Sequence, residues 1–397
     1  MQFHEALSRF PYLLLRLTLK PQETLKLPAQ NKGNTLRGAF GSSFRRLVCV
    51  PECRNAHACP LAESCPYKLI FEPSPPQGSD RLSKNQDIPR PFIFRPPLDL
   101  KTSYEAGETF EFDLVLLGTA ANYLPYFVLA FREVVSAGFG LNRARCELTE
   151  VRAIQINSQV PDGSLEAIGH GGQGPRPPVT PHRSPVAGLL IYSSADQVFH
   201  QPQLSMLADY VKARLALFPF TCSLAPASSL VTRHLSLVTV FFLSPTHLRA
   251  DGQLVREPEF YQLFKRLRDR LNALSTFYGP GPIDADFKAL GELAEEVRTV
   301  KHDVHWIERY RTSSKTHQRH ELSGFIGSCI YDFAGVGSPL PSGGGLHGTQ
   351  SPILHQDALG ILLPWLLVGE ICHMGKHTAW GNGWSTFIGR SRLTWSY

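Results

Sequence analysis

Apolar positions along the chain follow two periods, and the order in which the periods alternate occurs twice. Residues 9–19 carry Pro11-Tyr-Leu-Leu-Leu and then Leu15, Leu17 and Leu19 against Arg16, Thr18 and Lys20, a strand pattern. In residues 35–48, Leu36, Phe40, Phe44, Leu47 and Val48 recur at helical spacing, with Arg37, Arg45 and Arg46 off that stripe. Residues 67–71, 91–94 and 109–117 read as strands, the last alternating Phe110, Phe112, Leu114 and Leu116 with mostly polar neighbours. Leu124, Phe127, Val128, Phe131 and Val134 predict a second helix over 121–137, and residues 143–156 a closing strand. Strand, helix, strands, helix, strand is the order of a ferredoxin-like unit.

Residues 158–185 are rich in Gly and Pro and read as a loop or insertion near a domain junction. Strand character resumes at 187–193. Beyond it, residues 236–243 predict a strand, 261–277 and 287–300 helices, 304–312 and 322–333 strands, 359–368 a helix and 385–393 a last strand. The pattern predicts an α+β protein: tandem ferredoxin-like (RRM-like) domains, antiparallel sheets with helices on one face, divided as 1–195 and 196–397.

Composition changes this picture little. Of 397 residues, 43% are hydrophobic and 19% charged, as in an ordinary globular protein. The excess of 40 Lys+Arg over 34 Asp+Glu is modest over this length, so local clustering matters more than the sum. Arg16 and Lys20 interrupt the apolar N-terminal run and no small-residue cleavage site follows, so no signal peptide is expected. The apolar run 358–369 is shorter than the ~18 residues of a membrane span. A cytoplasmic protein is expected.

Four of the eight cysteines crowd together: Cys49, Cys53, Cys59 and Cys65, spaced C-x3-C-x5-C-x5-C, with His57 among them. In a reducing compartment such a cluster points to a metal more than to disulfides. Four thiolates in one loop suit a structural zinc ion, and they serve an iron–sulfur cluster equally well.

Near the end, residues 369–389 form a glycine-rich stretch with His373, Gly375, Lys376, His377, Gly381 and Gly383. Glycines let backbone approach a ligand closely, and N–H groups beside a lysine and imidazoles favour a phosphate-bearing partner. A nucleotide P-loop is excluded, because five residues separate Gly369 from Gly375 and His377 stands where magnesium would need Ser or Thr. A second basic element, 309–320, holds Arg309, Arg311, Lys315 and Arg319 without an acid. Its Tyr310, Ser313 and Ser314 can bond phosphate or ribose oxygens. With Arg37, Arg45 and Arg46, these residues are the candidate RNA contacts.

The second half resembles the CRISPR repeat-processing endoribonucleases of the RAMP superfamily. The likeness rests on Phe242-Leu-Ser-Pro-Thr-His-Leu-Arg, on 310–327, and on 363–383 with its terminal glycine-rich motif. Leu36-Arg-Gly-Ala-Phe-Gly and Cys65-Pro-Tyr are similar to the amino-terminal domain of a cysteine-bearing branch of that family. The resemblance implies a CRISPR repeat RNA as ligand and metal-independent attack of a 2′-hydroxyl, leaving 5′-hydroxyl and 2′,3′-cyclic phosphate ends. The alternative is an inactive repeat-binding subunit that caps the guide RNA beside other CRISPR effector subunits. The family often draws a histidine from its first helix, and residues 35–48 hold none. By motif position His373 and His377, with Lys376 between them, are the three candidate catalytic residues.

Overall fold

The computed structural model describes residues 5–50, 53, 59–75, 88–155, 188–217, 234–312, 318–334, 336 and 358–392. The first unit comprises β1 (Pro11–Pro21), α1 (Lys32–Val48), β2 (Phe92–Arg95), β3 (Phe110–Leu117), α2 (Leu124–Ala137) and β4 (Cys146–Ala153). Its antiparallel sheet has the order β2-β3-β1-β4, extended by β5 (Leu189–Ser193). The short β6 (Ser205–Met206) pairs with the start of β1, and α3 (Leu207–Ala216) follows it.

The second unit repeats the design with β7 (His234–Thr246), α4 (Phe260–Tyr278), α5 (Phe287–Glu296), β8 (Arg298–Ile307), β9 (Tyr310–Thr312), β10 (Arg319–Glu321), β11 (Gly324–Asp332), α6 (Ala358–Cys372) and β12 (Ser385–Arg392). Its sheet order, β8-β11-β7-β12, is the same permutation, with β9 and β10 forming a separate hairpin. Two βαββαβ units with the first strand between the third and fourth are ferredoxin-like folds in tandem.

β1 shows why the halves stay together. Leu13, Leu15, Leu17 and Leu19 point into a core with α1 and α2, where Phe40 stacks on Phe127 at 4.5 Å. Tyr12 and Leu14, on the opposite face, pack into the second unit's core with residues of α3, α4 and α6. The first sheet is covered on both faces here, which is what the unbroken run Tyr12-Leu-Leu-Leu requires. Helix α6 is buried on nearly every side, as an all-apolar helix should be. Among the described residues no helix is long and apolar enough to cross a membrane.

Two expected elements differ. Residues 67–71 form a wide helical turn instead of a strand, because Tyr67, Ile70 and Phe71 sit at i, i+3, i+4 and share the core of Phe40 and Phe44. The helix expected over 287–300 stops at Glu296, and the β-branched Thr299 and Val300 enter β8. The expected loop 158–185 lies wholly within residues 156–187, outside the described residues.

Candidate functional site

Helix α6 ends inside the protein and releases the glycine-rich loop, residues 373–384, between the two units. The loop is held from both sides. Lys376 N–H donates to His247 O at 3.0 Å, and Gly383 N–H to Pro245 O at 3.0 Å, both on the chain leaving β7. On the other side, the first turn of α1 sits so close that a Cβ on Gly33 would lie 2.0 Å from Trp380 O. Gly375 likewise abuts His247 O, and Gly381 abuts Phe94 O of β2. These glycines therefore serve backbone packing in the joint between units.

The indole of Trp380 gathers cations from three separate stretches. The guanidinium of Arg37, from α1, lies 4.0 Å from its ring centre, that of Arg311, from β9, at 5.1 Å, and that of Arg90 at 5.9 Å. Such contacts hold guanidiniums over an aromatic face at about 0.5–2 kcal/mol each. His377 stands beside the indole, ring centres 5.5 Å apart, and His247 stands 5.9 Å from His377. Lys376 is exposed next to them. Trp380 Nε1, Arg309 Nε and Arg311 Nε are shielded from solvent without an acceptor among the described residues. Buried donors are nearly always satisfied, so this group is suited to a ligand rich in acceptor oxygens.

Burial, then His247, Lys376, Arg311 and Arg90, push the His377 imidazole down to about 4. It is neutral near pH 7 and available as a proton acceptor. His247 is almost fully buried, and its Nδ1 lies 3.0 Å from Ser323 O. A carbonyl only accepts, so Nδ1 carries the proton and Nε2 the lone pair. Burial and Lys376 hold this ring below the usual histidine range against the opposing Ser323 bond.

His373 is placed differently from its neighbour. It has no exposed surface, its Nδ1 donates to Asn382 O at 3.0 Å and its Nε2 accepts from Arg95 Nε at 2.9 Å. Burial and Arg95 depress its pKa far below the ordinary value. Both nitrogens are engaged inside the protein, and the ring stacks on Trp384.

Of the candidate RNA contacts, the structure brings Arg37, Arg311, Gly375 and Gly381 together with Lys376 and His377. Arg309 lies at the foot of the same hairpin, where its backbone N–H meets Ser323 Oγ, and Gly383 closes the loop. Arg319 stacks over Tyr310 at 3.7 Å within the hairpin. Arg45 and Arg46 point elsewhere: Arg45 Nη2 donates to Cys53 O and Arg46 Nε to Glu133 Oε1. They follow Arg37 by eight and nine residues, about 12 Å along the helix. Ser314 and Lys315 lie outside the described residues. His247, Arg90 and Arg95 were not singled out from the sequence. A charge closing the apolar run Phe92-Ile-Phe94 was the available signal for Arg95, since a charge in a buried strand demands partners.

The cysteine cluster sits at the C-terminal end of α1. Cys49 and Cys53 are half-buried, Cys59 and Cys65 buried, and all four are free thiols. Cys53 shares hydrogen bonds with Cys49 and with Cys59, and Cys65 lies close enough to oppose ionisation of Cys49 and Cys53. Burial first, then these neighbours, push the Cys49 thiol up to about 11. Among the described residues no group of three or more His, Cys, Asp or Glu side chains is arranged to hold a metal ion. The intervening residues 51, 52 and 54–58, with His57, lie outside them. Thiolate sulfur is the ligand type that thiophilic metals take, so the residue types suit such a metal although the described side chains are not gathered around one.

A family model described as an N-terminal domain matches residues 10–178, the first unit. A second, described as CRISPR-associated endoribonuclease Cas6, matches residues 240–385, which take in the later part of β7, the basic hairpin, α6 and the whole glycine-rich loop. The second unit is thus similar to Cas6 endoribonucleases over residues 240–385. Solved structures similar to it include a Cas6 product complex, at 15% identity and a TM-score of 0.46 over 96% of this chain and 100% of that one. Thermus thermophilus Cas6 is 14% identical over 96% of this chain and 99% of its own, with a TM-score of 0.43. A partial Cas6-RT-Cas1–Cas2 complex is 14% identical, covering 98% of this chain and 48% of that chain, with a TM-score of 0.46. No curated protein matches the chain.

Proposed function

We propose that the protein binds CRISPR repeat RNA at the joint between its two units and cleaves it by internal transesterification. The observation that carries this is the pair of shielded N–H donors, on Trp380 and Arg311, that have no acceptor among the described residues and stand beside His377 and Lys376 in the unit that matches the Cas6 model. A phosphodiester supplies the oxygens those donors lack, and Arg37, Arg311 and Lys376 oppose its charge.

In the proposed step the 2′-oxygen bonds to the adjacent phosphorus as the P–O5′ bond breaks. His377, neutral at working pH, takes the 2′-hydroxyl proton, and Lys376 stabilises the phosphorane and supplies the proton to O5′. His247 backs His377 and holds the loop through its carbonyl. His373, with both nitrogens occupied, is assigned to the loop's support.

The test is incubation of purified protein with repeat RNA in EDTA. The expected products carry 5′-hydroxyl and 2′,3′-cyclic phosphate ends. RNA that stays intact while bound in a salt-sensitive manner would replace this reading with that of a non-cleaving cap on the guide RNA.

We also propose that Cys49, Cys53, Cys59 and Cys65 hold a structural zinc ion. Elemental analysis of anaerobically purified protein should find about one zinc per chain. Iron with visible absorbance would instead assign a cluster, and neither metal would leave the thiols unligated.

A further inference from the structure

The end of α6 poses a problem that the glycine-rich loop alone does not solve. An α-helix leaves its last four carbonyls without intrahelical partners, and in a buried position each must be satisfied or cost free energy. Here a buried arginine and a half-buried one, from different units, divide the task. Arg95, closing β2 in the first unit, donates through Nη2 to Glu370 O and to Ile371 O, the latter at 3.2 Å. Arg270, from α4 in the second unit, donates through Nε to Cys372 O at 3.0 Å and to His373 O at 3.2 Å. The positive charges also oppose the negative end of the helix dipole.

Arg95 does more than cap. Its Nε donates to His373 Nε2 at 2.9 Å, and its guanidinium lies 5.0 Å from the Trp384 ring centre, with that ring stacked on His373. His373 in turn donates to Asn382 O, and Met374 N–H donates to Gly383 O, so both ends of the loop are drawn together at this point. Lys376 and His377 lie on the segment enclosed by these bonds. The residue holding the entrance of the loop therefore belongs to the opposite unit, 5% exposed and fixed in strand β2.

We propose that Arg95 is the positioning residue of the cleavage site: by locking the end of α6 and the ring of His373, the first unit sets where Lys376 and His377 stand. This rests on the reading of the loop as the site of RNA cleavage. Lysine cannot replace it, because one ammonium cannot span the carbonyls of 370 and 371 and the imidazole of 373 in the fork geometry that a guanidinium provides.

The test uses the full chain with Arg95→Met and Arg95→Lys, and Leu17→Ala as a destabilised control whose site is intact. Single-turnover cleavage of repeat hairpin RNA should fall about 100-fold in Arg95→Met, the size expected when reacting groups shift by an ångström, with RNA affinity changed less than about five-fold. Arg95→Lys should be slow as well, and Leu17→Ala should cleave at the wild-type rate per folded molecule. Amide hydrogen exchange on the same proteins, without RNA, should accelerate in residues 373–384 in the Arg95 variants and not in the control. A folded Arg95→Lys or Arg95→Met protein with wild-type rate and wild-type exchange over 373–384 would overturn the proposal. If wild-type protein fails to cleave at all, the nuclease reading falls, while the exchange experiment still decides whether Arg95 positions the loop.

Discussion

Replacement of Gly383 by alanine should detach the glycine-rich loop through backbone collision. Gly383 has φ 72°, and a Cβ there would sit 1.8 Å from Met374 O, whereas real Cβ atoms essentially never come within 3.0 Å. The blocking atom is backbone, so no rotamer change relieves it. The left-handed conformation costs an alanine about 1–2 kcal/mol. Overpacking adds about 1–3 kcal/mol, and loss of the Met374 N–H to Gly383 O bond about 1 kcal/mol. A destabilisation of about 3–6 kcal/mol results, a large part of a typical total stability of ~5–15 kcal/mol. Gly38→Ala is the matched control, since that exposed position in α1 has nothing within 4 Å of the new methyl. It should be neutral or stabilising by up to about 1 kcal/mol. Urea unfolding followed by tryptophan fluorescence reads both, with RNA binding measured on the folded fractions. The reasoning fails if Gly383→Ala unfolds at the wild-type midpoint. Lost RNA affinity at full stability would mean that the glycine leaves room for RNA and not for the neighbouring chain.

Several other outcomes are expected. Because the His377 pKa lies near 4 against 6.5 for a free imidazole, cleavage should persist well below pH 6.5, and Arg90→Gln, which removes a cation that lowers it, should move the acid limb of the pH–rate profile upward. The same shift makes the unfolded chain bind the extra proton first, so stability should fall as pH drops from about 6.5 to about 4, as measured by urea midpoints across that window. Arg311→Gln should weaken repeat RNA binding and lower the slope of log K against log salt by about 0.7–1, read by filter binding from low to moderate salt. Arg214→Leu leaves the Glu370 carboxylate, which it pairs through Nε at 2.7 Å and Nη2 at 2.8 Å, buried without its cation, and should cost about 3–5 kcal/mol in a denaturant titration.

The repeated order of strands and helices was legible because each unit buries its faces at regular periods. Phe110, Phe112, Leu114 and Leu116 alternate along a strand, and Phe40 and Phe44 lie one helical turn apart. The run Tyr67 to Phe71 was misleading because five apolar-rich residues fit a helical turn as readily as a strand. For the site, Lys376 and His377 stood out through the glycine-rich stretch, Arg37 as a charge off an apolar stripe and Arg311 within a basic run that holds no acid. Their meeting at Trp380 is a tertiary fact, since 273 residues separate Arg37 from Arg311 if one counts only those between them. His373 and His377 look alike in sequence. Only the fold shows that one donates and accepts inside the protein while the other stands beside Trp380. Arg95 was hidden for the same reason: its partners are carbonyls, which have no sequence signature.

The segment joining the units is stitched to both of them. β6 pairs with β1, Leu207 N–H donates to Phe10 O at 3.1 Å, and α3 immediately afterwards sends Tyr210 and Arg214 to the carboxylate of Glu370 on α6. A joint built this way is a weld and not a hinge. If RNA binds at this joint as proposed, it meets side chains already in their final places, so its capture should obey simple second-order kinetics, rising in proportion to concentration without the plateau that a rate-limiting closure would impose.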